Sequence, residues 1–134
     1  MEFHANLAAA WLSFLPGVVG GMALGLGFHH DDNLGGYASW KRRLLRLGHV
    51  SFFGLGAINL AFYLTADRIG ADATTLGVLG GMRTASWAFL VGAVSMPLMC
   101  ALAAVRKGFR HGFVLPVTAV SLGVVLTLRE VIAS

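Results

Sequence analysis

The sequence contains four long apolar stretches that are separated by short polar segments. The stretches cover residues 5–28, 44–66, 84–105 and 113–132. A helix needs about 20 apolar residues to cross the hydrocarbon core of a bilayer, and each stretch reaches this length. The pattern predicts an all-α integral membrane protein, a four-helix bundle with four transmembrane helices that form a single domain over residues 1–134.

The composition agrees with this interpretation. Hydrophobic residues make up 57% of the chain and charged residues 12%, whereas an ordinary soluble domain has about 45–50% and about 25%. The first stretch has no basic region before it and is too long for the core of a signal peptide. We therefore expect it to remain in the protein as a membrane span.

The basic residues predict the orientation in the membrane. Seven of the ten Lys and Arg lie at the junction of stretches one and two or between stretches three and four: Lys41, Arg42, Arg43, Arg46, Arg106, Lys107 and Arg110. Under the positive-inside rule these loops face the cytoplasm of a bacterial inner membrane, and both termini lie on the outer, periplasmic side. We expect the basic residues, with Tyr37 and Trp40, to contact lipid headgroups, so that the net positive charge requires no nucleic acid.

The first stretch carries small residues at intervals of four. They are Ala9, Ser13, Gly17, Gly21 and Gly25. In a membrane, small residues on one helix face let two helices approach closely and pack. The spacing predicts a helix–helix contact, and the partner helix can belong to this chain or to another subunit.

Most side chains that hold metals or haem lie at the predicted cytoplasmic edge. They are His29, His30, His49, Cys100 and His111. Two of these histidines could hold a b-type haem between them, and Cys100 with His49, Met96 and Met99 could hold Cu(I). Alternatively, the interfacial histidines bind nothing and Cys100 only packs. Because His49 alone among the histidines lies within a span, the site hypothesis depends mainly on His49.

Two further polar residues have alternative interpretations. Arg83 marks the outer membrane boundary beside an aromatic belt of Trp11, Tyr63 and Trp87, or it is buried if the third helix begins near Leu76. Asn59 lies deep in the second span, where an amide usually forms an interhelical hydrogen bond. Ser13, Thr84 and Thr127 are the expected partners.

The sequence narrows the function to a few classes. An ordinary ion-coupled transporter is disfavoured because the spans carry no embedded carboxylate, and the sequence has no motif of a common hydrolase. The general form is similar to small subunits and assembly factors of respiratory or photosynthetic complexes. That similarity is one of architecture, not of motifs.

The leading hypothesis is a non-catalytic accessory subunit of a larger inner-membrane complex, such as an electron-transfer complex. Its partners would be lipid and other membrane subunits, and it would pack through the small residues of span one. One alternative is a small redox protein with haem b or quinone bound at the cytoplasmic edge. Another is a copper or haem insertion factor. Enzymatic activity is not expected.

Overall fold

The computed structural model describes residues 3–70 and 81–134. Within these ranges the chain is all-helical and contains no strand, as predicted. The helices are α1 (His4–Gly27), α2 (Trp40–Arg68), α3 (Met82–Val105) and α4 (Val114–Ala133). All four helical segments are long and apolar enough to cross a membrane, which identifies a membrane protein whose apolar helices contact lipid.

The predicted spans match the helices closely except at α2. This helix begins at Trp40 rather than residue 44, and it continues to Arg68. The Ser39 side chain caps its first turn by accepting a hydrogen bond from the backbone N–H of Arg42 at 3.2 Å. Hydropathy alone misses this start because the first turn is basic, although the cap makes it helical. The helix ends just before Gly70, whose φ of 62° favours glycine.

The helices pack in chain order. The centre of the molecule is formed by α2 and α3, with α1 on α2 and along the edge of α3, and with α4 on α3. We call the end that carries both chain termini the terminal end. We call the other end, with the connections 28–39 and 106–113, the loop end.

Each end has its own apolar cluster. At the terminal end, Phe62 packs edge-on against Phe3, with 5.2 Å between ring centroids, and its ring is tilted against that of Phe89 at 5.3 Å. At the loop end, Leu44 packs with Ala103 and Ala104. The small alanines let α2 and α3 approach closely at that end.

Of the residues predicted at the outer boundary, Arg83, Trp11 and Trp87 lie on the surface, whereas Tyr63 is partly buried against the apolar cluster. Arg83 is exposed in the first turn of α3, as expected for a residue at a membrane boundary. Trp11 and Trp87 are 64% and 62% exposed. The alternative helix start near Leu76 lies outside the described residues.

A buried polar network joins three helices near the terminal end. Asn6 of α1 donates from its side-chain nitrogen to the side-chain oxygen of Asn59 of α2 at 2.8 Å. The Ser86 hydroxyl of α3 donates to the side-chain oxygen of Asn6. Asn6 and Asn59 are fully buried. The interhelical hydrogen bond expected of Asn59 is present, but its partner is Asn6 and not one of the expected residues.

We expect Asn6→Leu and Asn59→Leu each to lower the free energy of unfolding by about 1–3 kcal/mol, because each leaves a buried amide without its partner. The double variant should lose less than the sum of the two single losses. Reversible unfolding in mixed detergent micelles measures these values.

Thr118→Val is the matched control, because the exposed Thr118 hydroxyl bonds only to carbonyls of its own helix, those of Val114 and Leu115. Its stability should stay within about 0.5 kcal/mol of the parent protein. Strictly additive losses in the asparagine double variant would contradict a coupled network.

Candidate functional site

His49 lies in the α1–α2 contact, towards the loop end. Its ring packs edge-on against Phe53, with 5.4 Å between ring centroids, and its other side faces Gly21 of α1. A Cβ added at Gly21 would lie 2.7 Å from Cε1 of His49. The absence of a side chain at Gly21 is therefore what makes room for the imidazole between the helices.

The imidazole of His49 makes no hydrogen bond within the described part of the chain, and its Nδ1 is buried without a partner. A neutral imidazole carries one donor and one acceptor. An unmade hydrogen bond at a buried polar group costs about 1–3 kcal/mol. His49 is thus a polar group that the fold positions but does not satisfy.

His49 lines an apolar groove between α1, α2 and α3. The groove has a volume of about 750 Å³, which is within the range of about 300–1,000 Å³ typical of ligand pockets. Its walls include Pro16, Gly20, Phe52 and Pro97. Towards the loop end the groove reaches Leu44, a member of the apolar cluster there.

Cys100 lines the same groove as His49. The residue is fully buried, and its thiol is free. A Cβ added at Gly48 would lie 3.1 Å from Cβ of Cys100, so the cysteine fills the close α2–α3 contact. Of the expected copper ligands, the groove therefore contains His49 and Cys100.

The two methionines of the expected copper set lie elsewhere. Met96 lines a second groove, of about 370 Å³, between α2, α3 and α4. The sulfur of Met99 packs against Gly112 in the connection to α4. The two thioethers thus face α4, on the side of α3 away from the groove of His49.

The other candidate haem ligands lie at the loop end, outside the groove. His29 and His30 are exposed and contact each other, with 5.6 Å between ring centroids. His111 is exposed and accepts a long hydrogen bond from Nε of Arg110 at 3.5 Å. In residues 3–70 and 81–134, no three His, Cys, Asp or Glu side chains lie close enough to hold a metal ion.

The small residues of α1 have three different surroundings. Gly17 packs on the Phe53 ring and Gly21 on His49, so these two glycines serve a contact inside this chain. Ala9 and Ser13 line the groove. In the described part of the chain, no atom beyond its own helix turn lies within 4 Å of a Cβ built at Gly25.

Arg42 differs most from its expected place at the lipid headgroups. It is only 3% exposed, donates to the carbonyl of His30, and holds its guanidinium 4.6 Å from the centroid of the Phe28 ring. A cation over an aromatic face is attracted by the ring quadrupole. Arg42 thus joins the start of α2 to the connection that follows α1.

Two neighbours of Arg42 are also engaged with the protein. The Trp40 indole donates to the carbonyl of Ala103 at 2.8 Å, which fastens α2 to α3. The Arg46 guanidinium lies 4.3 Å from the centroid of the exposed Tyr37 ring. The remaining predicted headgroup residues are exposed: Lys41, Arg43, Arg106, Lys107 and Arg110.

Sequence reasoning missed two residues that organise the site, Asn6 and Arg42. The sequence contains a signal that could have indicated Asn6, because an amide within an apolar stretch needs a hydrogen-bond partner. The sequence contains no such signal for the buried position of Arg42, because nothing in the basic segment distinguishes it from Arg43.

Comparisons with models of protein families, with curated proteins and with solved structures gave no match for this chain. The functional argument therefore rests on the groove and the helix surfaces.

We expect Arg42→Gln to loosen residues 29–39, because it removes the charged group that holds this connection to α2. Loss of about 1 kcal/mol of local stability corresponds to about fivefold faster opening. Amide hydrogen exchange of the connection measures the effect. Arg43→Gln is the control, because Arg43 is an exposed neighbour of the same charge. Equal exchange in the two variants would show that Arg42 does not hold the connection.

Proposed function

We propose that this chain is a non-catalytic accessory subunit of a larger electron-transfer complex in the bacterial inner membrane. The observation that carries the proposal is the open side of the helix bundle. Since α4 packs mainly on α3, an apolar groove stays open between α2 and α4. A helix of another subunit could bury this face.

The composition of that open face supports a partner helix. Gly54 lines the groove, and beyond its own helix turn no atom of the described residues lies within 4 Å of a Cβ built there. Glycine at an unoccupied position lets a second helix approach closely, as small residues do in membrane helix contacts. Gly17 and Gly21 already pack inside the chain, so we place the partner contact at Gly54 rather than on the small residues of α1.

The electron-transfer part of the proposal is supported by His49. An imidazole inside an apolar groove is the kind of side chain through which proteins hold haem and other redox cofactors in a membrane. In the alternative of a small redox protein with one b-type haem, the same imidazole would supply an axial ligand. Copper or haem insertion has less support, since Met96 and Met99 lie away from the groove.

The proposed orientation follows from charge. Seven of the ten Lys and Arg lie at the loop end, four of them in the first two turns of α2 and three in the connection 106–113, so the positive-inside rule puts that end in the cytoplasm and both termini in the periplasm.

The accessory role predicts that the chain migrates with other membrane subunits when native membranes are solubilised gently. We expect Gly54→Leu to lower the yield of this complex at least tenfold, because the new side chain occupies the space of the partner helix. Native electrophoresis followed by mass spectrometry of the excised band measures the yield and identifies the subunits.

Gly25→Leu is the control, since Gly25 also has open space around it but lies on α1, away from this face. It should leave the complex intact. A chain that migrates alone, or only with copies of itself, after cross-linking in the native membrane would contradict the accessory role.

The proposed orientation is tested with single cysteines in a Cys100→Ala background. A maleimide that does not cross the membrane should label Ser134→Cys in intact spheroplasts, and should label Gly108→Cys only after the membrane is permeabilised. The reverse labelling pattern would place the basic connections outside.

A further inference from the structure

The groove beside His49 has the shape of a site for an elongated molecule. Its lining on α1 runs from Ala9 to Leu24, which is about 22 Å at 1.5 Å per residue. His49 lies towards the loop end of this length, opposite Gly20 and Gly21. The groove thus offers one hydrogen-bonding ring near one end and an apolar channel that continues from it.

The lack of charged side chains among the described residues that line the groove disfavours an anionic ligand. Among the residues that the structure describes, no charged side chain lines it. Arg42 is directed to the His30 carbonyl and the Phe28 ring, and Arg46 to Tyr37. Haem propionates or a phospholipid phosphate placed at His49 would have no cationic partner in the groove. The ligand that fits is therefore uncharged.

The depth of His49 gives a second restriction. It follows Arg46 by three residues on α2, which is about 4.5 Å further from the loop end. The head of the ligand must therefore lie deeper in the membrane than the charged residues of the loop end, where water does not solvate it. A neutral ring with carbonyl groups meets this requirement, because it loses little hydration there compared with a charged headgroup.

The hydrogen-bonding capacity of His49 matches both redox forms of such a ring. A neutral imidazole can donate to a quinone carbonyl and can accept from a quinol hydroxyl. We propose that the groove binds an isoprenoid quinone, with the ring on His49 and the isoprenoid tail along α1 towards Ala9. This binding site goes beyond the accessory role and does not depend on it, because it concerns the isolated chain.

The experiment uses the full chain in nanodiscs of zwitterionic phospholipid, with protein-free nanodiscs as the background for partitioning. The probes are ubiquinone and menaquinone with two isoprene units, and the quinone retained by each disc is measured by chromatography. We expect saturation at about one quinone per chain above the background.

Three variants locate the ligand. His49→Phe keeps an aromatic ring at this position but removes the hydrogen bond, so we expect the affinity for quinone to fall about fivefold. Gly20→Leu should abolish binding, because a Cβ at Gly20 lies 3.8 Å from Nδ1 of His49 and the rest of the side chain enters the groove. Gly25→Leu makes the same change on the same helix in open space, and binding should remain unchanged.

Folding is checked separately by helical circular dichroism and by elution as a single species. Equal affinity in the parent protein and in folded His49→Phe would overturn the placement of the ring on His49. No retention above that of protein-free nanodiscs would overturn the quinone site altogether. A Soret band in the purified protein that is lost in His49→Phe would assign the groove to haem instead. None of these results bears on whether the chain migrates with other subunits, so the two proposals fail independently.

Discussion

The buried contact between Asn6 and Asn59 is the interaction on which the arrangement of α1, α2 and α3 depends. Apolar surfaces gain little by packing together in lipid, since the lipid tails are as apolar as the helices. A fully buried amide has no partner in the hydrocarbon, so it must find one on another helix. Asn6 bonds to Asn59, and Ser86 bonds to Asn6. One network thus sets the positions of three helices near the terminal end.

The loop end is held by a different kind of contact. The Trp40 indole bonds to the Ala103 carbonyl, and Arg42 reaches back to the chain that follows α1. The helices α1, α2 and α3 are joined at both ends. Between these ends, their packing depends on where glycine leaves space for a side chain or for a close approach. Gly21 lets His49 enter the α1–α2 contact, whereas Gly48 lets α2 approach Cys100. The groove is therefore a consequence of two fixed ends and of unequal side-chain volumes between them.

Hydropathy was sufficient to predict the four long helices of the described residues, because lipid requires long apolar segments that satisfy their own backbone hydrogen bonds. It could not predict the start of α2, where the Ser39 cap outweighs a basic and polar first turn. His49 and Cys100 lie at similar depth in their spans, and both line one groove. Depth in the membrane does not show which way a side chain points around its helix. Met96 was therefore grouped with His49 and Cys100, although it faces α4.

The balance of polar groups in the membrane distinguishes His49 from the asparagines. Asn6 and Asn59 form their hydrogen bonds within the fold. Helix association therefore explains both residues without any ligand. The Nδ1 of His49 is buried without a protein partner, and a fold that only needed stability would be better served there by phenylalanine or leucine. A polar ring that costs stability and lines an apolar groove is most simply explained by a ligand that completes its hydrogen bonding. The charge-free walls of the groove restrict that ligand to a neutral one.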